Sequence, residues 1–198
     1  MIVFVVYLFR NAQKDMEYIL DTTNRQFYDK LEFIADGAVS IRRNTVLTEF
    51  LERGTTDTEE AQRQLTYAIE LMSDRNMVNQ IPFVESVYLF NNQGRFLEDH
   101  YYPSTVSALK EAHEEVKKQL EEYKQSNRQY AFLKGAADGK INLYFRMYDG
   151  KLTQTGICVV EIQEEAIREI FKGIEDYENS AWMVLDGGGQ ILVSQENS

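Results

Sequence analysis

Apolar positions from Met16 onward recur at Met16, Leu20, Phe27, Leu31, Ile34, Ala38 and Ile41. That spacing keeps them on one side of a 3.6-residue repeat and predicts a long amphipathic helix. Gly37 is costly in a helix interior, so a bend or break is expected there before Val46, Leu47, Phe50 and Leu51 resume the pattern. Gly54 is the expected C-terminal stop. Thr56-Asp57-Thr58-Glu59 has the form of a capping box. It opens a second helix with Ala61, Leu65, Ala68, Ile69 and Met72 on its apolar face, ending before Pro82.

The period then changes from 3.6 to 2. Phe83 to Phe90 and Arg95 to Tyr102 flank Asn91-Asn92-Gln93-Gly94, residues that tolerate a left-handed backbone, and predict a hairpin. Pro103-Ser104 ends it, with Ser104 placed to cap a third helix carrying Val106, Leu109, His113, Val116, Leu120 and Tyr123 on one face. Three strands follow, Tyr130 to Leu133, Ile141 to Tyr148 and Thr155 to Ile162, separated by Asp138-Gly139 and Asp149-Gly150. A helix from Glu164 to Ile174 leads to a last hairpin around Asp186-Gly187-Gly188-Gly189. Helices gathered about one antiparallel sheet make an α+β fold, and the last hairpin reads as the start of a second, smaller domain.

The strand Ile141 to Tyr148 alternates without a break. Ile141, Leu143, Phe145 and Met147 share one face, expected to pack on the long helix, and Asn142, Tyr144, Arg146 and Tyr148 share the other. The second face offers aromatic walls and a fixed cation, a surface suited to a small polar or anionic ligand, and Tyr88, with Ser86 and Phe90 on its own face, can complete it. Tyr88, Tyr144, Arg146 and Tyr148 are therefore the candidate ligand-binding residues. A solvated face whose tyrosines cover the edge of the core is the competing reading. On the ligand reading, Arg146→Ala loses binding and keeps the fold.

Charge and composition narrow the function. With 32 acidic against 21 basic residues the net charge is −11, which repels phosphate backbones, so no nucleic-acid partner is expected. A single cysteine, Cys158, permits no internal disulfide and reads as a buried small hydrophobe, and two histidines support no zinc site; no cofactor or metal is expected. Glu98-Asp99-His100-Tyr101-Tyr102 is the densest titratable cluster, but neighbours on a strand point to opposite faces, so Glu98 and Asp99 form no paired-carboxylate site by themselves. His113, on an apolar helical face, reads as a core histidine. The glycine run Asp186 to Gln190 joins two strands and precedes no helix, so it is a turn and not a phosphate cradle. No nucleophile or kinase motif is present, and an enzyme using Glu98, Asp99 or His100 ranks last among the readings.

The opening run Met1 to Phe9 is uninterruptedly apolar and stops at Arg10. It is too short to span a bilayer, and reads either as a buried strand or helix start or as the outer end of a membrane-spanning helix.

This element order, with Ser86-Val87-Tyr88-Leu89-Phe90-Asn91-Asn92-Gln93-Gly94-Arg95-Phe96 as its first hairpin, resembles the double Cache modules, the PAS-like extracellular sensor domains of bacterial histidine kinases and chemoreceptors. The resemblance implies residues 1–10 as the end of a transmembrane segment or a remnant outside the domain, 11–55 as the long helical region, 56–175 as the membrane-distal PAS-like domain, and 176–198 as the start of a membrane-proximal one. It further implies a non-catalytic domain on the outer face of the cell membrane, held through flanking helices and paired as a homodimer in the full receptor. Its ligand would be a small molecule or a ligand-loaded solute-binding protein. The style is most similar to sensor kinases of Gram-positive bacteria, many linked to sugar or peptide signals, and membrane-tethered transcription regulators carry similar domains. The Arg-x-Trp element of the family's amino-acid sensors is missing: the single tryptophan, Trp182, lies outside the distal domain and has no arginine two positions earlier, so amino-acid sensing is not expected. A ligand-free dimerisation or spacer domain is the alternative.

Overall fold

The computed structural model describes residues 4–7, 14–54, 58–74, 77–100, 106–134, 139–175 and 181–195. In chain order these form β1 (Phe4–Tyr7), α1 (Lys14–Arg43), α2 (Thr45–Arg53), α3 (Thr58–Asp74), β2 (Met77–Val78), β3 (Ile81–Pro82), β4 (Val84–Asn91) and β5 (Phe96–His100), then α4 (Val106–Gln125), β6 (Tyr130–Lys134), β7 (Lys140–Tyr148), β8 (Gln154–Gln163), α5 (Glu164–Glu175), β9 (Trp182–Leu185) and β10 (Ile191–Ser194). The architecture is α+β, a long N-terminal helix packed on a PAS-like antiparallel sheet of order β5-β4-β8-β7-β6.

The sheet is covered on both faces. One face shares a core with α1, α2, α3 and α5, among them Phe27, Leu31, Leu47, Leu65, Phe171 and, from β7, Ile141, Leu143 and Met147. The alternation of β7 predicts this side of the sheet for Ile141, Leu143 and Met147. The other face packs Tyr88, Phe90, Tyr144, Ile157 and Val159 beneath Val116, Leu120 and Tyr123 of α4. Double coverage explains why β8, central to the sheet, is buried from Thr155 to Ile162 and reads as a nearly continuous apolar run.

The long helix breaks at Asn44 and not at the expected Gly37. Asn44 has extended backbone angles, and its side chain accepts the amides of Val46 and Leu47, so it ends one helix and caps the next. Gly37 instead permits close approach of two helices: a Cβ there would lie 2.2 Å from Met72 Sδ of α3. Gly54 ends α2 in a left-handed conformation (φ 61°), its amide returning to the Phe50 carbonyl. Helix α3 stops at Asp74, short of Pro82. The small hairpin β2–β3 occupies the interval, turned by Asn79 and Gln80 at positive φ (47° and 70°). Thr56 and Asp57 of the expected capping box, Ser104 and Asp138 lie outside the described residues, as do the side chains of His100 and His113.

A second sheet has three strands in the order β1-β9-β10. Over Phe4–Tyr7 the N-terminal apolar run is extended, not helical, and pairs antiparallel with β9, Phe4 opposite Leu185 and Tyr7 opposite Trp182. Trp182 stacks on Phe171 of α5 (centroids 5.0 Å apart) and donates its indole N–H to Glu175. Among the described residues no helix is long and apolar enough to cross a membrane.

Candidate functional site

Strand register sets the layout of the face beneath α4. Tyr88 on β4, Val159 on β8 and Tyr144 on β7 form one row across the sheet. Ser86, Glu161 and Asn142 form the next row toward one end, and Phe90, Ile157 and Arg146 the next toward the other. All four candidate residues therefore share a face, with Tyr88 and Tyr144 together near its centre.

Both of these tyrosines are fully buried. The Tyr144 hydroxyl lies 3.0 Å from Gln119 Oε1 and 3.2 Å from the Val116 carbonyl, both on α4. Burial, reinforced by the carboxylates of Glu161, Glu98 and Glu85, raises the Tyr88 pKa well above the ordinary phenol value. Burial, with Glu115 next in weight, does the same for Tyr144. Both phenols are thus neutral at physiological pH and able to donate or accept.

Arg146 does not stand open as the ligand cation expected from its place on the strand. Its Nη2 donates to the carbonyls of Ser126 (2.6 Å), Lys124 (3.3 Å) and Tyr123 (3.4 Å), Nε to the Arg128 carbonyl (3.1 Å), and Nη1 to Gln154 Oε1 (2.7 Å). The guanidinium also lies 5.1 Å from the Tyr123 ring centre. It therefore satisfies the last carbonyls of α4 and neutralises the negative end of that helix. Burial pushes the Tyr123 pKa up to about 12 against the opposing pull of Arg146. Tyr148, half-buried, extends the same face opposite Gln154.

The polar end of this face holds residues not singled out from the sequence. Glu161 is 3% exposed, and Lys140 Nζ bridges its Oε1 (2.5 Å) and Glu85 Oε1 (3.1 Å). One signal was present: Glu161 is the only charge in the otherwise apolar run Thr155 to Ile162. Burial by itself would lower the Lys140 pKa, but the two glutamates more than offset it and leave it raised. The stabilisation this gives is complete below the ordinary lysine value of 10.5 and is lost as pH rises through the higher folded value. Lys140→Met is accordingly expected to cost about 2 kcal/mol at pH 7. Urea melts should show the gap to wild type narrowing above pH 10.5; a gap of constant size would deny the ion pairs this role.

Glu98 and Asp99 point to opposite faces of β5, Glu98 opposite Tyr88 and Asp99 opposite Val87. Cys158 is buried, which raises its thiol pKa. Among the described residues no group of three or more His, Cys, Asp and Glu is placed to hold a metal ion. A separate cleft of about 390 Å³ lies between edge strand β6 and the β9–β10 turn, lined by Arg128 to Phe132 and Asp186 to Gly188. Asp186 is engaged there in shaping the turn, its Oδ1 accepting the amides of Gly188 and Gln190.

No protein-family model matches the chain, and no curated protein matches it. Solved structures do. The ligand-binding domain of the Campylobacter jejuni chemoreceptor Tlp3, in complex with L-valine, aligns with a TM-score of 0.53 at 14% identity, over 91% of this chain and 70% of that one. The sensory domain of Tlp3 with isoleucine bound gives 0.51 at 14% identity, over 91% and 69%. The ligand-binding domain of the Pseudomonas aeruginosa PAO1 amino-acid chemoreceptor PctC, in complex with GABA, gives 0.51 at 12% identity, over 89% and 71%. At such identities the likeness is one of fold: the chain has the fold of chemoreceptor ligand-binding domains.

Proposed function

We propose that the chain is the extracytoplasmic signal-sensing domain of a bacterial two-component sensor histidine kinase, binding a small molecule or a ligand-loaded binding protein and relaying that event through α1. Residues 56–175 are the membrane-distal sensor unit and 176–198 the start of the proximal one. The observation that carries this reading is the buried polar and aromatic face under α4, set in a fold that serves ligand binding in the aligned chemoreceptors. Tyr88 and Tyr144 wall the ligand site, Arg146 holds the end of α4 over it, and Tyr148 closes the same end. The opposite face of the same strands packs with α1, so a ligand that favours one placement of α4 acts on the helix through the thickness of the sheet. Such a relay requires unequal affinity for two helix arrangements.

One observation favours a second reading, a ligand-free dimerisation or spacer domain of a chemoreceptor or membrane-tethered regulator. Tyr88 and Tyr144 are fully buried by the protein's own side chains. A thermal-shift panel of sugars, amino acids, organic acids, amines and short peptides separates the two, because a ligand selective for the folded chain raises Tm by mass action. We expect one chemical class to raise Tm saturably and Tyr144→Phe to reduce that shift. Silence of the whole panel, with spin-label distances along α1 unchanged by any addition, would leave the spacer reading in its place.

A further inference from the structure

We propose that the polar end of the α4 face, around Asn142 and Glu161, recognises a small organic ammonium ion that carries no carboxylate; this rests on the sensing function proposed above and names the class of ligand.

The direction of one hydrogen-bond chain fixes what this site lacks. The Lys134 backbone carbonyl can only accept, so Gln119 turns its Nε2 toward it (2.8 Å) and toward Glu115 Oε1 (2.7 Å). Gln119 Oε1 must then face inward, where it accepts from Asn142 Nδ2 (3.0 Å) and lies 3.0 Å from the Tyr144 hydroxyl. Asn142 is thereby oriented with its amide nitrogen toward Gln119 of α4, which turns its Oδ1 away from that helix residue. Asn142 is 2% exposed, and among the described residues its Oδ1 has no hydrogen-bond donor. A buried amide oxygen is costly to leave so, and calls for a donor.

The charges around it specify that donor further. Asn142 is in register with Glu161, and Glu161 with Ser86. Glu161 and Glu85 share one ammonium, that of Lys140. Among the described residues two carboxylates share one lysine and leave the cluster negative, which favours a cation bearing several N–H donors. Among the described residues the cations of this face are already engaged, Arg146 at the end of α4, Lys117 over the Phe96 ring (5.3 Å) and Lys140 between its two glutamates. Among the described residues a ligand carboxylate would meet like charge with no free counter-ion. The preference is therefore opposite to that for zwitterions such as the valine and GABA held by the aligned chemoreceptor domains. Glu85 and Lys140, with side chains 17% and 28% exposed, form the solvent-facing rim.

The test is calorimetric titration and thermal shift of the purified chain with putrescine, butylamine, 4-aminobutyrate and glucose. Butylamine and 4-aminobutyrate have the same four-carbon skeleton and differ only in whether its last carbon is a methyl or a carboxylate. Putrescine or butylamine is expected to bind saturably and 4-aminobutyrate at least about tenfold more weakly, with Glu161→Gln weakening the amine by a similar factor. Should Glu161→Gln fail to fold, Glu85→Gln at the rim is expected to weaken it several-fold. Binding of 4-aminobutyrate or glucose without the amines would overturn the inference and leave the sensing function standing. Amine binding unchanged in both variants would overturn the location. Silence of these four probes would overturn the amine preference, and only silence of the wider panel would remove the sensing function as well.

Discussion

Gly156→Ala is expected to destabilise the domain by about 3 kcal/mol or more, despite adding a single methyl group. Gly156 sits in β8 with Asn91 of β4 opposite it on one side and Met147 of β7 on the other. A Cβ at this position would lie 2.2 Å from the Phe90 carbonyl oxygen and 2.6 Å from Leu51 Cδ2. Leu51 can rotate away, but the carbonyl belongs to the β4–β8 ladder and moves only if that ladder moves. Urea denaturation should show a lowered midpoint, and adding Leu51→Ala should recover none of it, because the backbone clash persists and a cavity is added. A wild-type midpoint for Gly156→Ala would mean that the ladder yields locally, and would remove the glycine from the account of how α2 seats on the sheet.

Arg146→Ala is expected to cost about 2–4 kcal/mol and to release the C-terminal part of α4, since several carbonyls lose their donor at once. Amide exchange should quicken from Leu120 to Gln125 with little change in β4 and β8. Ligand affinity should fall with it, because the helix that covers the site is no longer fixed. Arg146→Lys should not restore it, because one ammonium cannot span acceptors that a planar fork reaches together. If α4 keeps its protection while affinity is lost, the guanidinium touches the ligand directly, the role its place on the strand first suggested.

These two positions show where sequence pattern was sufficient and where it failed. Period-two alternation in β7 placed Tyr144 and Arg146 on one face and Leu143 on the other, and this is where they lie. The same pattern carries nothing about what covers a face. Val116, Leu120 and Tyr123 mark α4 as amphipathic, but only the tertiary structure shows that this stripe lies on Tyr88 and Tyr144, and that the end of α4 meets Arg146. Glycine was legible at Gly54, where a helix needs a left-handed stop, and misleading at Gly37, where it serves a neighbouring helix and the break falls at Asn44. The β2–β3 hairpin escaped notice because its two-residue strands show no period and its turn is Asn79-Gln80, without the glycine that usually marks such a turn. The Asn142–Gln119–Tyr144 chain was invisible for another reason: it joins residues more than twenty positions apart, and its meaning lies in the direction of its hydrogen bonds.

The pairing of β1 with β9 has a consequence for how the chain folds. Phe4 and Leu185 lie at nearly opposite ends of the sequence, so this ladder closes a loop containing almost every other element. Closing so long a loop is entropically costly until the intervening structure has condensed, which places the ladder among the last contacts to form. During synthesis the apolar strand Phe4–Tyr7 emerges well before its partner exists, and its unpaired edge is exposed to other chains throughout that interval. Yield on refolding should therefore depend on protein concentration more steeply than the stability of the finished domain would suggest.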